Sequence, residues 1–361
     1  MRIIFIALLL LLQHIINAQT ISQRIDSLMK SEASLKSFSG VLLVAEKGKP
    51  VYAKAYGYRD FAKKIPLEKT DIFELASVSK QFTSMIIMML KEKQQLQYDD
   101  PVEKYLTIPY KGITIRQLLT HTSGLPDYQE IMDKYWDKSK VAGNADAIEY
   151  LNKYAPPALF EPGAKYNYSN TGYLLLASIA EKVTGRDFID LCRKWIFIPL
   201  KMKNTDIRSL QAKAAIKNFA IGHIYISEQG RYVRADSFPS SDYTIWLGNR
   251  KGPGRISSTA ADLLLWDQAL YSSKLISQQT LAEAFTPMKL KDGSLSDYGF
   301  GWEITSDKVL GKIVYHTGDN PGYHTQIRRF IGVNQTIILL NNNASDEMKP
   351  IIDGVTALLS K

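Results

Sequence analysis

The stretch Phe73-Glu74-Leu75-Ala76-Ser77-Val78-Ser79-Lys80-Gln81-Phe82-Thr83 decides how the chain is read. Ser77 and Lys80 stand three residues apart at the start of an apolar pattern that predicts a buried helix from Ser79 to Lys93. At that spacing their side chains fall on one face and meet. A serine hydroxyl attacks a carbonyl only when a neighbouring base takes its proton. Lys80 is such a base if burial and nearby positive charge depress its pKa, and the run Met85 to Leu90 promises a dry setting. The helix start adds free N–H groups and a positive dipole end, which favour an oxyanion. The pair alone is not specific, because Ser27-Leu28-Met29-Lys30 repeats the spacing. That copy falls on a polar face of a short amphipathic pattern and reads as structural.

Two further segments carry chemistry. Tyr168-Ser169-Asn170 follows Glu161-Pro162-Gly163 in a loop that feeds a helix predicted over Thr171 to Val183, with Gly185 placed to end it. Tyr168 would exchange protons with Ser77 or the leaving group if a nearby cation lowers its pKa. Asn170 would hydrogen-bond Lys80 and the substrate. Taken singly, Tyr168 also reads as a core aromatic, Asn170 as a helix N-cap, and Tyr150-Leu151-Asn152 repeats the pattern. His316-Thr317-Gly318 is expected to end a strand, with Asp319-Asn320-Pro321-Gly322 as a tight turn and Gly318 allowing a ligand backbone close to the strand edge. The return through Tyr323-His324 is expected to bring His324 near His316. No third ligand with suitable spacing accompanies these two histidines, so no metal is assigned.

At 361 residues, 45% hydrophobic and 22% charged, the chain is long enough for a full core and is globular in composition. Met1-Arg2, the apolar run Ile3 to Leu12 and the small residue Ala18 form a secretory leader pattern over 1–18. The run is short for a membrane span and Gln13-His14 follow it, so the expectation is a periplasmic or secreted protein with no stable membrane insertion. The single cysteine, Cys192, sits in a helical pattern and reads as a buried thiol. The formal charge of +9 is spread along the chain in brief pairs such as Lys63-Lys64 and Arg328-Arg329, which excludes a nucleic-acid stripe.

Strand patterns at Gly40 to Ala45, Val51 to Tyr58, Tyr298 to Ile304, Lys312 to His316, Tyr323 to Phe330 and Gln335 to Asn341 gather at the two chain ends. Helical patterns fill the middle, including Ser258 to Leu270, and one from Glu347 to Leu359 closes the chain. The expected fold is α+β: an antiparallel sheet formed by both ends, flanked by terminal helices, with an inserted, mostly helical subdomain. The leader (1–18) would then precede one catalytic domain (19–361), its sheet region at 19–75 and 290–361 and its helical region at 76–289.

The chain resembles the serine beta-lactamase-like family of class C beta-lactamases, D-alanyl-D-alanine carboxypeptidases and related esterases. The likeness runs through residues 73–83, Leu118-Leu119-Thr120-His121-Thr122-Ser123-Gly124-Leu125, Pro162-Gly163, Tyr168-Ser169-Asn170, Pro199-Leu200-Lys201-Met202, Ser257-Ser258-Thr259-Ala260-Ala261-Asp262-Leu263 and His316-Thr317-Gly318. The resemblance implies Ser77 as acylated nucleophile, Lys80 and Tyr168 as the proton-transfer pair, and Asn170, His316, Thr317 and Gly318 as substrate contacts. It also implies an oxyanion hole from the backbone N–H groups of Ser77 and Asp319, and a structural His121. No cofactor is implied, and the partner is a small-molecule or peptide substrate. The family's beta-lactamases and carboxypeptidases carry Lys where this chain has His316, which is largely neutral above about pH 6.5. Members with His there include esterases and peptidases, so the departure points away from efficient beta-lactam hydrolysis. Three readings follow: an acyl-enzyme hydrolase, a cell-wall D-amino-acid peptidase, or a penicillin-binding sensor without turnover. Specificity among them would rest on loops such as Ser237 to Arg250.

Overall fold

Valine- and leucine-rich strand β1 (Gly40–Glu46) turns back through Lys47 and Gly48 into β2 (Lys49–Tyr56). Both turn residues have positive φ, 48° and 75°, the conformation that matches the twist of a two-residue hairpin. The computed structural model describes residues 19–30, 38–344 and 348–361, so the leader read over 1–18 lies outside the described residues. From the other end of the chain come β3 (Glu303–Asp307), β4 (Gly311–Asn320), β5 (Tyr323–Phe330) and β6 (Gln335–Asn341). The antiparallel sheet has the order β3-β4-β5-β6-β1-β2. β1 pairs with β6 from Gly40 opposite Asn341 to Glu46 opposite Gln335, so the sheet is made from both chain ends, as expected.

The helices that position the site are α1 (Ile21–Lys30), α2 (Lys80–Glu92), α3 (Asn170–Thr184), α4 (Ala260–Ala269) and α5 (Met348–Leu359). Side chains alternate across the sheet. Leu42, Val44, Ile337 and Leu339 face outward onto Ile25 and Met29 of α1 and Ile351, Ile352 and Val355 of α5. Val41, Leu43, Val314, Ile327, Ile338 and Leu340 face inward and join one core with Phe82, Ile86, Leu175 and Trp266 of the helical region. Among the described residues no helix is long and apolar enough to cross a membrane. Cys192 is a buried free thiol, as read.

Three local expectations are corrected. The strand placed at Tyr298 to Ile304 begins only at Glu303. Gly299 lies so close to the Ala284 carbonyl that a Cβ would stand 2.0 Å from it, and Gly301 has φ 78°, which takes Tyr298–Trp302 out of the sheet. β4 does not end at Gly318 but runs on to Asn320. Pro321 and Gly322 (φ 80°) suffice as a two-residue turn, with Asn320 opposite Tyr323. That register places His324 opposite Asp319, its ring nitrogen 3.3 Å from the carboxylate, while His316 faces Ile327. The two histidines are therefore not neighbours. Arg329 of the pair Arg328-Arg329 is buried: it is 1% exposed and ion-paired at 2.5 Å with the fully buried Asp267 of α4.

Candidate active site

Ser77 sits on a sharp bend. The short strand Phe73–Glu74 pairs with Ile256–Ser258, and the chain then enters a 3-10 turn (Ala76–Ser79) before α2 begins at Lys80. Ala76 has φ 48°, a left-handed conformation costly for a residue with a Cβ and typical of functional turns. The bend is held by the Leu75 carbonyl, which accepts the Thr325 hydroxyl at 2.8 Å from β5. Gly318 faces the same segment: a Cβ there would lie 2.2 Å from Leu75 O and 3.1 Å from Ala76 Cβ. The glycine expected to admit a ligand therefore admits the nucleophile's own turn. Ser77 is only partly buried and opens to solvent.

Lys80 is fully buried. Its Nζ lies 3.0 Å from Ser77 Oγ, 2.8 Å from Asn170 Oδ1 and 2.9 Å from the Pro253 carbonyl. These three partners are neutral. A neutral amine matches them: two N–H groups donate to Asn170 and Pro253, and the lone pair takes the Ser77 proton. Burial holds the Lys80 pKa well below the usual lysine range, and the Arg250 charge lowers it further, against a small opposing pull from Asp127. The expected base thus has the expected electrostatics. Asn170 does not cap α3; Ser169 does, accepting the Gly172 N–H at 3.2 Å, which leaves the Asn170 side chain free for Lys80.

The Tyr168 ring centroid lies 4.6 Å from Lys80 Nζ. The expected downward shift of its pKa is not found. Burial of the phenol pushes it up, against an opposing pull from Ser77. Although 39% of the residue is exposed, the phenol is held protonated and ready to donate.

His316 is 2% exposed. Its Nδ1–H donates to the Thr317 carbonyl at 2.5 Å, so Nε2 accepts the Tyr298 hydroxyl at 2.8 Å. Burial first, then the Lys80 charge, push its pKa down to about 3. A neutral imidazole therefore stands where lysine would put a charge. Thr317 lies on the opposite face of β4 from His316, on the side of Glu303. Beyond Tyr315, which pairs with Glu303, the β4 edge extends past the end of β3. Asp319 sits on that free edge and lines, with Ser77, Asn170 and Asn320, a cleft of about 70 Å³. Asn320 also lines a larger groove of about 560 Å³ running past Glu74, Lys213, Phe219 and Tyr323.

Sequence reasoning missed several participants. His121, read as structural, is fully buried with φ 57°; its Nδ1 accepts the Ser169 N–H at 3.0 Å and its ring lies 4.4 Å from that of Tyr168. It pins the loop that presents the phenol. Tyr298 orients His316, and Tyr128, Gln129, Tyr243, Arg250 and Pro253 line the cleft. Only the glycine-flanked aromatics around Tyr298 offered a local signal. The copy at Ser27 and Lys30 is exposed at both residues on α1, as read.

Comparison with known proteins agrees with this geometry. The family profile described as Beta-lactamase matches residues 21–357. Penicillin-binding protein 4* of Bacillus subtilis (strain 168) is 38% identical over 326 residues, covering 90% of this chain and 72% of that protein. A D-aminopeptidase of Brucella anthropi is 28% identical over 277 residues, covering 74% of this chain and 49% of that one. The octameric penicillin-binding protein homologue from Pyrococcus abyssi superposes with a TM-score of 0.79 at 27% identity, over 94% of this chain and 76% of that one. The bend that carries Ser77, the helix behind it and the strand beside it are thus parts of a shared plan, and the chain belongs to the beta-lactamase family of serine hydrolases with the penicillin-binding-protein fold.

Proposed function

We propose that the protein is an exported serine hydrolase that opens an ester, amide or peptide bond through an acyl-enzyme on Ser77. The observation that carries this reading is the buried Lys80 amine, 3.0 Å from Ser77 Oγ and hydrogen-bonded only to neutral groups. Uncharged, it takes the serine proton as Oγ attacks the substrate carbonyl. The resulting oxyanion lies between the backbone N–H groups of Ser77 and Asp319 on the free edge of β4. Collapse expels the leaving group, which takes a proton from the Tyr168 hydroxyl; the Lys80 ammonium, 4.6 Å from the Tyr168 ring centroid, returns the proton to the phenolate. Water then attacks the ester on Ser77, and the same groups act in reverse. Neutral His316 fixes Tyr298 and the strand rather than gripping an anion.

The test is turnover of a chromogenic short-chain ester together with intact mass after exposure to a penicillin. Wild type should turn over the ester and show a transient adduct, and Ser77→Ala should do neither. Turnover that survives in Ser77→Ala refutes the assignment, and a persistent wild-type adduct favours a sensor. A second reading, a peptidase for D-amino-acid substrates, draws support from the D-aminopeptidase relative and the uncharged residue at 316. Peptides that begin or end in D-residues, run beside esters and cephalosporins, separate the two. Export rests on the leader pattern at 1–18, and a mature protein starting at Gln19 is its expected sign.

A further inference from the structure

Arg250 is 6% exposed and lines the same cleft as Ser77, Asn170 and Asp319. Its backbone N–H bonds Leu247 O at 3.1 Å, so the residue is anchored. Its guanidinium is not satisfied: one terminal nitrogen is buried with no hydrogen-bond partner, and the contact it does make is with the Tyr243 ring, at 5.4 Å. The acids within reach of its field are engaged elsewhere. Glu74 is ion-paired to Lys213, and Asp127 caps the helix Tyr128–Tyr135 by accepting the Gln129 N–H at 2.8 Å. The Asp319 carboxylate is 81% exposed and turned to His324. The other ionisable groups around Arg250, namely Lys80, Lys213 and Arg255, are basic side chains. A buried guanidinium nitrogen with no hydrogen-bond partner is costly unless something supplies one. The open volume of about 70 Å³ beside it is room for a small planar anion.

We propose that Arg250 is a specificity-determining residue that binds a carboxylate of the substrate, so that the enzyme prefers substrates carrying a carboxylate near the scissile carbonyl. The inference rests on Ser77 being the acylated residue. The planar fork of arginine suits a carboxylate, and the surrounding burial strengthens the bond. His316 is not among the residues lining this cleft, so the anion site lies apart from the strand position where lysine is replaced.

The experiment compares the monoanionic 4-nitrophenyl ester of glutarate with neutral 4-nitrophenyl butyrate, as the ratio of their kcat/KM values. The ratio cancels effects on the shared Ser77–Lys80 chemistry. Wild type should favour the glutarate ester, and Arg250→Gln should lower the ratio about 10- to 100-fold, mostly through KM, the worth of one charged hydrogen bond. Arg250→Lys should keep part of the preference. An unchanged ratio in Arg250→Gln, or a wild type that favours butyrate, overturns the carboxylate site while leaving acylation at Ser77 intact. Turnover surviving Ser77→Ala overturns the reading beneath it. If Arg250→Gln does not fold, wild type decides: glutarate should inhibit butyrate-ester turnover competitively and glutaramide should not. Equal inhibition by both, or by neither, overturns the proposal.

Discussion

Lys80 serves as a base only when uncharged, and its burial and the Arg250 charge favour that state. The expected consequence is a kcat/KM that rises with pH through the depressed Lys80 pKa, with Lys80→Gln lowering kcat by about 10²- to 10⁴-fold. A pH–rate profile checks both. His316 should add no inflection between pH 5 and 8, because its pKa is about 3; a step near 6.5 abolished by His316→Gln would contradict the buried geometry. The same group affects stability. Between about pH 3 and 6.5 the unfolded chain binds a proton at this histidine that the folded chain does not, so its contribution to stability rises with pH across that window and is lost on acidification. Urea midpoints measured from pH 4 to 7 should climb less steeply in His316→Gln. At Gly318, a Cβ 2.2 Å from Leu75 O would push the nucleophile's turn, so Gly318→Ala should cost about 10²-fold in kcat/KM. Ser77, Lys80, Tyr168 and Asn170 were legible because each sits in a short segment with its own chemical signature. Arg250, Tyr298 and the bracing role of His121 were not, since each acquires its part from contacts made across distant loops. The phenol's pKa was misjudged for a related reason: it is raised by burial, which only the packed site determines.

The buried ion pair between β5 and α4 belongs to the level of elements. Arg329 and Asp267 are 1% and 0% exposed, bonded at 2.5 Å, with a second bond from Arg329 to the Asp267 carbonyl at 3.1 Å. Removing one partner strands a buried charge, so Asp267→Ala should lower stability by about 3–5 kcal/mol, whereas Asp267→Leu with Arg329→Met should cost much less. Chemical denaturation of the two variants tests this; equal losses would mean the pair is merely space-filling. No sequence pattern announced it, because an Arg-Arg pair in a strand looks the same whichever member turns inward. Helices α3 and α4 were readable because their caps are local: Ser169 and Thr259 each accept the N–H three residues on, and Gly185 ends α3 with φ 65°. The strand expected at Tyr298 failed on the opposite ground, since Gly299 answers to the Ala284 carbonyl from another helix.

At the scale of the molecule, the sheet is covered on both faces, and α1 and α5 form the outer layer. Ending the chain at residue 344 would remove Ile351, Ile352 and Val355 and bare Phe330, Ile337 and Leu339. Burial of each such side chain is worth about 1.5–3 kcal/mol, so the shortened protein should melt earlier and bind a hydrophobic dye; an unaltered melting curve would refute that layer's role. The two-ended sheet itself was visible from where strand patterns cluster, but the register of Gly40 opposite Asn341 was not. That pairing also dictates timing. β4 is tied to the N-terminal half of the sheet only by way of β5 and β6, so a nascent chain carries its reactive serine long before the strand that must flank it can dock. Contacts so remote along the polypeptide form late and slowly. The newborn protein therefore stays chemically silent until β4 has been synthesised and docked through β5 and β6.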